Sequence, residues 1–165
     1  MDKLIIEGGH PLKGEVKVSG SKNATLPLLA ATLLTDEVCV IRNCPKLRDT
    51  LTMVKLLRSL GKTVDFDKEA IVVSSKGDLQ HVAEYKLVST MRGSFCVLGP
   101  LLGKLGKAKV SLPGGCVIGI RPVDLHIKGV KALGATIDIE NGYVIARARR
   151  LKGTHIYLGG VFGSS

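Results

Sequence analysis

Leu60-Gly61-Lys62-Thr63-Val64-Asp65-Phe66 and Leu133-Gly134-Ala135-Thr136-Ile137-Asp138-Ile139 carry one pattern twice, about 70 positions apart. In each, a leucine and a glycine end a helix and an alternating, β-rich run follows. Upstream of Gly61, Asp49 or Thr50 opens a helix with Leu51, Val54, Leu57 and Leu60 spaced for one face. Upstream of Gly134, Pro122 stands where a first helical position tolerates proline. Downstream, residues 63–66 and 70–74 read as a hairpin around Asp67-Lys68-Glu69. Residues 136–140 and 143–148 read as another across Asn141-Gly142, a type I′ turn signal.

Each pass also has a front half. Residues 15–19 and 38–42 read as strands flanking a helix that Asn23 caps and that begins at Ala24, with Pro27 in its tolerant first turn. Residues 3–7 read as a further short strand. In the second pass, 87–103 reads as a helical stretch interrupted by Gly93, Gly99 and Pro100, followed by a strand at 109–112. Leu151-Lys152-Gly153 then repeats Leu12-Lys13-Gly14 about two periods on. The expected fold is α/β (α+β), with two βαβαββ units and the start of a third. Gly20-Ser21 leads into a helix, whereas the tail Phe162-Gly163-Ser164-Ser165 does not, so the chain reads as truncated inside a repeat.

The chain has 165 residues, enough for one domain with a real core. Its 24 Lys plus Arg against 14 Asp plus Glu give a net charge of +10, which favours anionic partners. The basic residues are scattered; the densest group, Arg147, Arg149 and Arg150, alternates along a strand end. With aromatics at 4% and no Trp, base-stacking platforms are scarce, so phosphorylated small molecules are expected rather than nucleic acid. A basic RNA-binding module remains the alternative from another class. No apolar run reaches the roughly 18 residues a membrane span needs, and Asp2 and Glu7 do not suit a signal peptide. A cytoplasmic protein away from membranes is expected.

Cys39, Cys44, Cys96 and Cys116 show no C-x-x-C spacing, and His10, His81, His126 and His155 no metal-like spacing, so no metal is expected. Cys39 and Cys96 lie in apolar runs and read as core residues; Cys44 reads as incidental to a turn. Cys116 differs. It stands in Pro113-Gly114-Gly115-Cys116, a glycine-rich loop ahead of a helix that starts near Arg121. Positive potential there stabilises a thiolate and attracts phosphate or carboxylate. Lys22 beside a helix start suits an anion, and Asn23 can cap or bond a ligand; the P-loop spacing is absent. Arg92, beside Gly93, is a third cation near a helical start. Taken singly, each reads first as an ordinary surface or capping residue.

Together, Ser19-Gly20-Ser21-Lys22-Asn23-Ala24, Met91-Arg92, and Pro113-Gly114-Gly115-Cys116 running into Arg121-Pro122-Val123-Asp124-Leu125-His126 resemble the UDP-N-acetylglucosamine enolpyruvyl transferases, from about residue 3 to the end. The related shikimate-pathway transferases share the fold without the cysteine loop and are the alternative within the enzyme class. The resemblance implies two globes of three βαβαββ units each. Residues 1–20 would belong to the second globe and 21–165 to an incomplete first. It implies phosphoenolpyruvate and UDP-N-acetylglucosamine as substrates, no cofactor, and a role in peptidoglycan synthesis. Cys116 resembles the loop cysteine that protonates or adds to phosphoenolpyruvate and reacts with fosfomycin. Lys22, Arg92 and Arg121 resemble the cations that hold phosphate and carboxylate. Asn23 resembles a residue near the reacting sugar; Pro122, Val123, Asp124 and Leu125 resemble part of the nucleotide-sugar site. Ser164 resembles a diphosphate contact, in a tail that departs from the family pattern. The family's general base lies in the second globe, so residues 1–165 alone are expected to be inactive.

Overall fold

Ser21 fixes the start of the first helix. Its backbone is extended and its Oγ accepts the Ala24 N–H at 3.3 Å, which makes it the N-cap of α1, Lys22–Ala31. These features come from a computed structural model of the chain, which describes residues 3–67, 70–114 and 123–159. The cap is two residues earlier than the sequence suggested. Asn23 is therefore inside the helix, and Pro27 falls beyond the first turn, where it removes the N–H that the Asn23 carbonyl would otherwise receive.

β1 (Cys39–Ile41), α2 (Arg48–Ser59), β2 (Lys62–Asp67) and β3 (Ala70–Ser75) complete the first unit. The three strands form an antiparallel sheet in the order β1-β3-β2, with Val40 opposite Val72 and Val64 opposite Val73. Gly61 ends α2 with φ +99, and a Cβ there would lie 2.7 Å from the Asp78 carbonyl oxygen. Helix α2 buries Thr50, Met53, Val54, Leu56 and Leu57, continuing to Leu60. Leu51, expected on that face, is turned outward at 37% exposure, because the buried stripe runs through 50, 53, 54 and 57.

The second unit comprises β4 (Val82–Ala83), α3 (Tyr85–Val88), a 3-10 segment Arg92–Val97, α4 (Leu98–Leu105), β5 (Lys107–Ser111), α5 (Asp124–Ala132), β6 (Thr136–Glu140) and β7 (Tyr143–Arg147). The single helical stretch read at 87–103 is broken. Met91 is extended, and tight 3-10 turns precede α4, where Pro100 occupies a tolerant early position. Gly106, left-handed at φ 68, ends α4. Positive φ at Asn141 and Gly142 closes the β6–β7 hairpin as expected.

The second sheet runs β4-β5-β7-β6, with β4 parallel to β5 and the other pairs antiparallel. Removing β4 leaves the order of the first sheet, since β5, β7 and β6 correspond to β1, β3 and β2. The counterpart of β4 would be 15–19, but residues 3–19 form no strand. Leu4, Ile5, Ile6, Leu12, Val16 and Val18 are all exposed, Leu12 fully. A lone strand without a pairing edge leaves its backbone to water, so the pattern alone does not make one. Residues 151–159 are likewise irregular, although the Lys152 N–H donates to the Leu133 carbonyl and ties this segment to the end of α5.

One core joins both units: Leu29 and Leu33, Met53, Leu56 and Leu57, and Phe95, Leu98, Leu101 and Leu102 are essentially fully buried together. Each such side chain contributes about 1.5–3 kcal/mol. Cys44 is the buried thiol among the described residues, donating to the Ile41 carbonyl at 3.3 Å, and burial pushes its pKa up. Cys39 and Cys96, expected as core, are only half-buried. A polar strap also spans the units. Lys62, 6% exposed, donates to the Thr35 carbonyl at 2.5 Å and to Ser75 Oγ at 2.7 Å. Nearby, Lys104 of α4 meets Asp36 at 2.6 Å. Among the described residues no helix is long and apolar enough to cross a membrane.

Candidate functional site

Each unit carries a cation at a helical start: Lys22 opens α1, and Arg92 opens the 3-10 segment after extended Met91. Gly93 lets these elements meet. A Cβ on it would come within 2.9 Å of Leu26 Cδ1, one turn along α1 from Lys22, so the Arg92-Gly93 step is held beside the first turns of α1.

A glycine contact also seats the loop after β1 and the loop after β5. In the first unit a Cβ on Gly20 would fall 1.7 Å from the carbonyl oxygen of Asn43, itself left-handed at φ 56. In the second, a Cβ on Gly114 would fall 2.4 Å from the Ser89 carbonyl oxygen. The glycine sits on opposite sides of the two contacts, but the effect is the same. The loop after β1 lies against the approach to Lys22, and the loop after β5 lies against the approach to Arg92.

The last helix of each unit, α2 and α5, lies close to these cations. Lys22 Nζ is 2.8 Å from Asp49 Oδ2, in the first turn of α2. The His126 ring of α5 meets Phe95 edge-on, with centroids 5.5 Å apart and planes at 89°. His126 is exposed overall, but partial loss of water where its ring packs on Phe95, and then the Arg92 charge, push its pKa below the ordinary value, while Asp124 opposes them. Two hydroxyls adjoining these residues, Thr50 Oγ1 and Ser94 Oγ, are buried without a hydrogen-bond partner among the described residues. Each costs about 1–3 kcal/mol.

Of the residues singled out from sequence, the structure gathers Lys22, Arg92, Val123 and Asp124 around the starts of α1, the 3-10 segment and α5. Val123 is buried and precedes α5, Asp124 is exposed in its first turn, Leu125 is half-buried and Asn23 is exposed. Cys116, Arg121, Pro122 and Ser164 lie outside the described residues. Asp49 was missed. Its signal was an acid at the start of the helix opposite Lys22, visible in Leu47-Arg48-Asp49 only once both helices were placed.

The described part of the site thus sets two cations, Lys22 and Arg92, at helical starts that pack together, with the Gly114 turn held against Ser89 beside them. The fold is that of the enolpyruvyl transferases. The solved enolpyruvyl transferase NikO from Streptomyces tendae matches 88% of this chain and 32% of its own length, with a TM-score of 0.73 at 25% identity. The EPSP synthase (3-phosphoshikimate 1-carboxyvinyltransferase) family matches residues 6–161, and the chain belongs to that family. Within it, the chain is 57% identical over 158 residues to the UDP-N-acetylglucosamine 1-carboxyvinyltransferase of Lawsonia intracellularis, covering 96% of this chain and 38% of that protein. It is 52% identical over its whole length to the enzyme of the same name from Methylacidiphilum infernorum, 39% of which it covers. The chain thus spans somewhat over a third of the length of these curated relatives.

Proposed function

We propose that this chain is the phosphate-binding and loop-bearing part of a UDP-N-acetylglucosamine 1-carboxyvinyltransferase. The identity of more than half its residues to relatives of that name carries the reading. In it, residues 1–20 belong to a second globe and 21–165 to the first. The second globe supplies the general base and further cations. The protein is an enzyme of the cytoplasm that serves peptidoglycan synthesis, and through it cell shape and division.

The reaction begins when the 3′-hydroxyl oxygen of UDP-N-acetylglucosamine adds to C2 of phosphoenolpyruvate while C3 takes a proton. The resulting tetrahedral phospho-ketal then loses a proton from C3, and the C–O bond to phosphate breaks. Lys22, Arg92 and Arg121 neutralise the phosphate and carboxylate, which otherwise repel an already anionic nucleotide sugar. Asn23 hydrogen-bonds near the reacting hydroxyl; Pro122, Val123, Asp124 and Leu125 hold the nucleotide end, and Ser164 the diphosphate. The Cys116 thiol gives the proton to C3 or adds to C2. No step requires a metal or organic cofactor.

Phosphate release from phosphoenolpyruvate should depend on UDP-N-acetylglucosamine in the protein that contains this chain. Cys116→Ser should abolish most of it, and Cys116→Asp should retain part, since a carboxyl also donates a proton. Fosfomycin should add one equivalent of mass at Cys116 as the thiolate opens the epoxide. An adduct at Cys96 instead, or turnover of 3-phosphoshikimate in place of UDP-N-acetylglucosamine, would sink the assignment.

A further inference from the structure

Lys22 is the first residue of α1, where the positive end of the helix dipole disfavours an ammonium. Its stem is long and freely rotating, so the position of its charge depends on what holds it. The only anion that the structure places on it among the described residues is Asp49, at 2.8 Å. Asp49 is well fixed for this. It lies in the first turn of α2, where a carboxylate is favoured by the dipole and by unpaired N–H groups, and α2 is anchored by five buried residues. The pair is partly exposed, with side chains 42% and 32% accessible, and pairs of that kind add little to folding. What the pair does fix is where the ammonium stands.

We propose that Asp49 is a positioning residue for Lys22. It anchors one of the three ammonium protons to α2 and leaves the other two directed at an incoming phosphate or carboxylate. The packing of α1 on α2 sets the reach, and Asp49 sets the direction. This rests on the reading of Lys22 as a ligand for phosphoenolpyruvate. In this role Asp49 acts through its neighbour rather than on substrate.

The test is calorimetric titration of phosphoenolpyruvate, with UDP-N-acetylglucosamine present, into the protein that contains this chain and into Asp49→Asn, Asp49→Glu, Lys22→Ala and the double variant Lys22→Ala/Asp49→Asn. Asp49→Asn should weaken binding about tenfold. Asp49→Glu, which keeps the charge, should recover most of the loss. In the Lys22→Ala background, Asp49→Asn should change nothing further, and the thermal midpoint should move little in any variant. Tighter binding by Asp49→Asn would show that Asp49 merely competes with the ligand and would overturn the proposal. Equal losses with and without Lys22 would do the same. If the unmodified protein binds no phosphoenolpyruvate, the reading of Lys22 falls and this inference with it; if it binds and Asp49→Asn matches it, this inference falls alone.

Discussion

Helices α2 and α5 hold the same place in the two units, α2 between β1 and the β2–β3 hairpin and α5 between β5 and the β6–β7 hairpin, yet they are packed in opposite ways. Five residues of α2 are buried, and it touches α1, α3, the 3-10 segment and β2. No residue of α5 is buried; it rests mainly on β6, with Ile127 and Val130 only half-covered. The connections ahead of them differ too. Residues 42–47 hold a buried Cys44 and a left-handed Asn43, while the longer 112–123 carries the Gly-Gly-Cys loop. The same repeat has therefore been used for two purposes. The first unit sets Lys22 and Asp49 on a deeply buried helix, and the second carries Asp124 and His126 on a less deeply packed one.

Truncation should expose this asymmetry most strongly. Leu57→Ala in α2 should cost about 2–5 kcal/mol, whereas Ile127→Ala in α5 should cost about 1 kcal/mol. Urea denaturation of both variants measures the ratio, and equal costs would break the comparison. Next come the two glycine contacts. Gly20→Ala puts a methyl 1.7 Å from the Asn43 carbonyl oxygen, and Gly114→Ala puts one 2.4 Å from that of Ser89. Both oxygens are backbone atoms and cannot swing aside. Each change should cost about 1–3 kcal/mol, the first more than the second. The reverse order would mean that the second unit, and not the first, is the rigid one.

The repeat was legible because glycine stops and alternating runs recur at one spacing, and Gly61, Gly134 and the Asn141-Gly142 turn fall where the pattern put them. What local pattern could not reveal was pairing. Residues 15–19 have the alternation of a strand and form none, because a strand exists only against an edge. The face of α2 slipped off Leu51 because four leucines and valines fit two nearby stripes, and only contact with α1 and β2 chooses between them. In the site, Lys22 and Arg92 were legible as cations beside helix starts. Asp49 was not, because a salt bridge between two helices leaves no spacing in the chain.

His126 offers the finest probe of the second unit, because it senses Arg92 without lying on the same element. Its imidazole is pushed below the ordinary 6.5 first by loss of water and then by the Arg92 charge, with Asp124 pulling the other way. A depressed folded-state pKa means that the neutral ring is the one the fold prefers. The corresponding stability is complete above the unfolded value and is lost as pH falls from there through the folded one. Proton resonances of the ring should therefore titrate with a midpoint below 6.5. Arg92→Ala should raise that midpoint and Asp124→Asn should lower it further. If Arg92→Ala leaves it unmoved, the start of α5 does not feel the cation at the start of the 3-10 segment, and the two do not act on one ligand. If it moves, the less deeply packed helix still stands within electrostatic reach of the cation that the first unit helps to seat.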